Sequence, residues 1–151
     1  MIHKKISVKI GEHHPTAEIT TYMIGNSEEL YDGRLRPLII ICPGGGYEMT
    51  SDREAEGIAL KFMAMGYHAA VLRYSVKPAV YPTALLQLAA TVKYFRENSD
   101  KYYIDADKII ICGFSAGGHL VASYGNSWNK AQFTNNRANG NEVCRPNAQI
   151  L

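Results

Sequence analysis

An α/β fold built on a mainly parallel, doubly wound sheet is what the sequence predicts, and three observations predict it. Leu38-Ile39-Ile40-Ile41-Cys42, Ala69-Ala70-Val71-Leu72 and Ile109-Ile110-Ile111-Cys112 are apolar without alternation, as strands covered by helices on both faces must be. The segments between these runs carry helix-start and helix-stop residues around apolar positions at helical spacing. Strand, helix and strand then follow one another at the spacing of right-handed crossovers. The 151 residues are 46% hydrophobic and 20% charged, the profile of one globular domain. A chain of this size buries roughly 68–70% of its unfolded surface, so neither disulfide staples nor a structural metal is required.

The chain opens differently. Lys5-Ile6-Ser7-Val8-Lys9-Ile10 and Thr16-Ala17-Glu18-Ile19-Thr20-Thr21-Tyr22 alternate with period two, separated by Gly11 and Pro15, and read as an antiparallel pair with one wet face. Residues 1–36 are thus the leading antiparallel strands and 37–151 the parallel core. Ser51-Asp52-Arg53-Glu54 has the form of a capping box, followed by apolar Ile58, Leu60, Phe62, Met63 and Met65 and by Gly66 where a C-terminal cap belongs. A second helix is expected from Pro82 through Leu85, Leu88, Ala89, Val92 and Phe95 towards Asn98. A third is expected from about Ser115 to Gly125. Asn126 to Asn141 is rich in Asn and Gly and reads as a loop, and Ala148-Gln149-Ile150-Leu151 as the start of another strand with an open edge.

Composition excludes several roles. Lys and Arg number 16 against 14 Asp and Glu, and the longest basic run is the pair Lys4-Lys5, so no phosphate-tracking surface is expected and no nucleic-acid partner. No window approaches the ~18 apolar residues of a membrane span. Met1 to Lys5 leads into alternation, not into the apolar stretch of a signal peptide, which gives a cytoplasmic expectation with no membrane contact. Cys42, Cys112 and Cys144 are odd in number and lack C-x-x-C spacing, so buried thiols are expected rather than a disulfide framework or a zinc site.

The sharpest chemical signal is Gly113-Phe114-Ser115-Ala116-Gly117, a G-x-S-x-G sequence that follows one apolar run directly and opens a helix. The chain must turn sharply there, and a side chain at 113 or 117 would meet neighbouring backbone. Ser115 is thereby placed at a helix N-terminus, where N–H groups and the dipole favour negative charge: a nucleophile's position. Pro43-Gly44-Gly45-Gly46-Tyr47 follows the first parallel strand, on the same rim, and its backbone is open to a substrate. The N–H groups of Gly45, Gly46 and Ala116 are candidates for an oxyanion hole. Two other glycine motifs fail on their residues. A phosphate loop needs Gly-Lys-Ser/Thr where Tyr47-Glu48 stands, and a dinucleotide fingerprint counted from Gly44 needs glycine at Met49.

The glycine loop, the elbow and the extended motif Gly113 to Leu120 resemble the α/β-hydrolase superfamily, and within it the lipase/esterase branch that contains acetylxylan-esterase-like carbohydrate esterases. The resemblance is essentially chain-long, with Pro43 where many such relatives have histidine. It implies an acyl-enzyme on Ser115, an acid and a histidine base that follow the serine in the chain, and no cofactor or metal. After Ser115 stand only His119 and Glu142. The resemblance gives His119 no catalytic role. Asp105 and Asp107 read as turn formers about 20 Å from Ser115, and Asp52 and Glu54 as helix caps. The acid and base are therefore expected beyond Leu151, and residues 1–151 alone are expected to be inactive. The expected function is removal of short acyl groups, acetyl above all, from carbohydrate or similar esters. A prolyl-oligopeptidase-like peptidase and a non-catalytic module of the same fold are the alternatives. The resemblance also sets the strands ending in Cys42 and Cys112 side by side, with their thiols expected close together and reduced.

Overall fold

In a computed structural model, described for residues 1–131 and 141–151, one six-stranded sheet runs through the molecule. The strands are β1 (Lys5–Val8), β2 (Ala17–Tyr22), β3 (Arg36–Cys42), β4 (His68–Arg73), β5 (Ile104–Gly113) and β6 (Ala148–Ile150), in the spatial order β1-β2-β4-β3-β5-β6. β2 pairs antiparallel with β1 and β4, while β3, β4, β5 and β6 run parallel. The alternating leader and the continuous apolar runs thus become the antiparallel and parallel parts of one sheet. The helices are α1 (Glu56–Ala64), α2 (Thr83–Glu97), the four-residue α3 (Ser99–Tyr102) and α4 (Ala116–Gly125). Among the described residues no helix is long and apolar enough to cross a membrane.

Two cores lie on opposite faces of the sheet. Leu38, Ile40 and Cys42 of β3 pack with Leu85, Leu88, Val92 and Phe95 of α2 and with Leu120, Val121 and Tyr124 of α4. Ile39 and Ile41 face the other way, onto Ala55 and Ala59. This is the period of two that a strand buried on both faces must show.

The register sets the faces on which the two neighbouring thiols lie. Cys42 stands opposite Gly113 and Cys112 opposite Ile41, an offset of one residue. Neighbouring positions along a strand point to opposite faces, so Cys42 joins the α2/α4 core and Cys112 the α1 core. All three cysteines are buried and free.

Several boundaries differ from expectation. Small residues make the buried contact here, Ala59 of α1 and Ala55 just before it, with Ile58, Phe62 and Met63 half-buried, while Leu60 and, just after the helix, Met65 are exposed. Pro82 precedes the first residue of α2, and Ser115 that of α4. β5 begins five residues earlier than its apolar run, at Ile104, which pairs with Arg36 before the register shifts. Asp105 and Asp107 therefore belong to an irregular first half of that strand, where Asp105 Oδ1 accepts the Asp107 N–H at 3.1 Å. Most of the expected loop, 132–140, lies outside the described residues, and Asn141–Cys144 form a 3₁₀ turn. Arg96 of α2 anchors the return to β6, donating to the carbonyls of Ala106, Glu142 and Val143 and to Asn147 Oδ1.

Candidate active site

β3 and β5 are neighbours and both end at the same rim, so the chain segments that follow them must meet there. The Phe114 N–H donates to the Cys42 carbonyl at 3.2 Å, joining the two at their roots. Beyond this point β5 turns into α4 through Ser115, whose backbone sits at φ 51°, ψ −119°. Positive φ is strained for any residue with a Cβ, and such strain persists only where the surroundings over-determine it. Here they do. A Cβ on Gly117 would strike the carbonyl oxygens of Cys42 and Pro43, and one on Gly113 would strike the Gly117 carbonyl. Serine at the position before a helix ordinarily caps it through its hydroxyl. Ser115 makes no such side-chain cap bond and is exposed, at the N-terminus of α4.

The glycine loop lies against this turn. The position a Gly44 Cβ would take is 2.7 Å from the Phe114 carbonyl oxygen, 2.8 Å from Glu54 Oε2 and 2.9 Å from Ser115 Cβ. The loop's carbonyls are turned to one side. Gly44 O accepts the Ser51 N–H at 2.8 Å, and Gly45 O accepts those of Glu48 and Met49 at 3.0 and 3.2 Å. In a trans peptide the N–H points opposite to the C=O, so the N–H groups of Gly45 and Gly46 face away from residues 48–51. Ala116 is the first residue of α4, where a backbone N–H has no acceptor within the helix.

Two residues hold this loop in ways that local sequence patterns did not indicate. Glu54 is no capping-box member. Ser51 makes no cap bond, residues 52–54 form a 3₁₀ turn before α1, and Glu54 Oε2 instead accepts the Gly44 N–H at 2.7 Å. Asp52, likewise not a cap, pairs with Arg73 at 2.6 Å. Tyr47, at φ 58°, places its hydroxyl 2.8 Å from His119 Nδ1. Burial, then the nearby Cys42, pushes the Tyr47 phenol above its ordinary pKa, so the hydroxyl stays protonated at neutral pH. Burial also raises Tyr74, whose hydroxyl donates to the Pro43 carbonyl. A cavity of about 410 Å³ opens beside Tyr47 and His119, walled also by Val80, Tyr81, Leu85 and Leu120.

Three further histidines and the downstream acid are occupied elsewhere. His3 contacts the Thr21 carbonyl, His14 lies 3.3 Å from the Thr83 hydroxyl, and His68 is buried between Ile24 and Tyr103. Glu142 pairs with Arg145 at 3.3 Å. Ser115, Gly45, Gly46 and Ala116 thus gather at one rim without a histidine–carboxylate pair among the described residues.

Comparison with known proteins gives the family and the fold. Solved structures superpose closely. An α/β hydrolase, MGS-M1, from a Medee basin deep-sea metagenome library matches with TM-score 0.77 and 38% identity, over 97% of this chain and 55% of that one. The carboxylesterase Cest-2923 of Lactobacillus plantarum WCFS1 matches with TM-score 0.80 and 34% identity, over 88% and 49%. An acetyl ester-xyloside bifunctional hydrolase of Caldicellulosiruptor lactoaceticus matches with TM-score 0.76 and 27% identity, over 95% and 55%. The chain spans about half the length of these relatives. With the BD-FAE family model matching residues 29–150, the chain belongs to the BD-FAE family and has the α/β-hydrolase fold shared with carboxylesterases.

Proposed function

We propose that the protein carrying this chain is a serine esterase that removes short acyl groups, acetyl above all, from carbohydrate or similar esters. The observation that carries the reading is the Ser115 backbone, strained at φ 51° on a Gly-flanked turn directly against the glycine loop. In this mechanism Ser115 Oγ attacks the ester carbonyl carbon while a base takes the hydroxyl proton. The carbonyl oxygen becomes an oxyanion, received by the N–H groups of Gly45, Gly46 and Ala116 and favoured by the α4 dipole. Collapse expels the alcohol, which takes the proton back from the base. Water then attacks the acyl-serine by the same route in reverse, giving the carboxylic acid and free serine.

The histidine base and its orienting acid come from parts of the protein outside residues 1–151. The matched relatives are about twice as long, and His3, His14, His68 and His119 have other partners. The carbohydrate side of the reading is supported by membership of the BD-FAE family and by likeness to an acetyl ester-xyloside hydrolase.

The test is kinetic, on the full-length protein, with p-nitrophenyl acetate and an acetylated xylo-oligosaccharide as substrates. Ser115→Ala should lower kcat by about 10⁴-fold or more on both. Retained activity would refute the nucleophile, and activity on the simple ester alone would refute the carbohydrate assignment.

A further inference from the structure

We propose that Tyr47 and His119 form a positioning strut that sets the oxyanion loop against the nucleophile's own helix. It rests on the reading of Ser115 as nucleophile. Neither residue is assigned contact with the reacting atoms.

The loop needs external support. Gly45, Gly46 and Tyr47 are three consecutive residues at positive φ, 140°, 65° and 58°. Glycine accepts such angles, but the left-handed region disfavours tyrosine. Something outside the loop must hold Tyr47 there, and four contacts do. Its carbonyl accepts the Lys77 N–H at 2.8 Å, and its hydroxyl meets His119 Nδ1 at 2.8 Å. Its ring stands edge-on to Tyr74 and to His119, with centroids 6.0 and 5.8 Å apart. His119 is one helical turn beyond Ser115, and its own N–H donates to the Ser115 carbonyl at 3.0 Å. A continuous path therefore runs from the glycine N–H groups through Tyr47 and His119 to the backbone of Ser115.

What such a path fixes is the distance between the donors and the attacking oxygen. As one more hydrogen bond on an exposed surface, the Tyr47–His119 contact would matter little to stability. Its effect on rate is larger, because a displacement of about 1 Å in a reacting group can cost ~10²-fold. Glu54 secures the base of the loop at Gly44, whereas Tyr47 secures its tip.

The experiment uses the full-length enzyme. Tyr47→Phe keeps the ring contacts and removes only the hydroxyl, and His119→Leu removes the partner nitrogen. Each should lower kcat about tenfold with KM changed less than about twofold. The double variant should be no slower than the slower single, because the two residues act as one unit. His119→Asn, which presents an amide near the position of Nδ1, should restore most of the lost rate. A trifluoromethyl ketone, whose serine adduct carries an oxyanion, should lose affinity for Tyr47→Phe by about the same tenfold factor. Unchanged kcat and unchanged ketone affinity in Tyr47→Phe, or multiplicative losses in the double variant, would overturn the strut while Ser115→Ala remains inactive. Activity in Ser115→Ala would instead overturn the nucleophile reading beneath it.

Discussion

The side chain that glycine lacks is the clearest local determinant at the rim. At Gly117 a single added methyl would collide with the carbonyls of Cys42 and Pro43, backbone atoms that cannot swing aside as a flexible side chain can. Gly117→Ala should therefore push α4 away from β3, lowering kcat/KM for ester hydrolysis by about 100-fold or more. Steady-state kinetics beside a melting curve check this, and a fully active Gly117→Ala would refute the packing argument. Ser115 and the glycines were legible in the sequence because each requirement lies within five consecutive residues. Glu54 was not. The pattern Ser51-x-x-Glu54 fits a capping box, and nothing local shows that the fold returns Gly44 to within 2.7 Å of that carboxylate. The Tyr47–His119 contact, 72 residues apart in the chain, was hidden for the same reason.

Elements were legible where hydrophobic spacing decided them. The buried apolar residues of α2, Leu85, Leu88, Ala89, Val92 and Phe95, are those its periodicity selects. Spacing misled for α1, where close approach to the sheet favours alanine, so larger Leu60 and Met65 turn outward. It also could not show that polar Asp105 to Lys108 continue β5, because that pairing is set by Arg36 and Ile104 across the sheet. The return from α4 to β6 depends on a polar anchor. Arg96 donates to Ala106 O at 3.1 Å, Glu142 O at 3.2 Å, Val143 O at 2.9 Å and Asn147 Oδ1 at 2.7 Å. Asn147 Oδ1 also accepts the Ile109 N–H at 3.0 Å. Arg96→Ala should destabilise the protein by about 2–4 kcal/mol, and Arg96→Lys should not restore it, since an ammonium cannot match the guanidinium fork. Urea denaturation measures both, and a wild-type midpoint in either variant would contradict the anchoring role.

Across the whole molecule, strand order is what brings the two motifs together. Placing β3 between β4 and β5 unites the glycine loop and the elbow, and the one-residue offset that separates Cys42 from Cys112 is a property of that pairing. The same sheet carries a buried histidine that links stability to pH. His68 is 0% exposed at the start of β4, with Nδ1 accepting the Ile24 N–H and Nε2 donating to the Tyr103 carbonyl. Burial chiefly, with the Arg36 charge adding, outweighs the hydrogen bond to Tyr103 and lowers its pKa from 6.5 to about 4. The unfolded chain therefore binds a proton that the folded one does not between those values. The stability associated with neutral His68 is complete above about pH 6.5 and is lost as pH falls towards 4, by about 3 kcal/mol in all. Denaturation across this window should show a steeper loss for wild type than for His68→Gln, whatever the absolute stability of the variant. Equal slopes would contradict it.

The assignment of Ser115 as nucleophile is tested most directly by covalent labelling of the full-length protein with a fluorophosphonate, followed by mapping of the modified peptide. Modification of Ser115, in proportion to the loss of esterase activity and absent from Ser115→Ala, is the result expected. Complete inactivation with Ser115 unmodified, or labelling at a different serine, would contradict it.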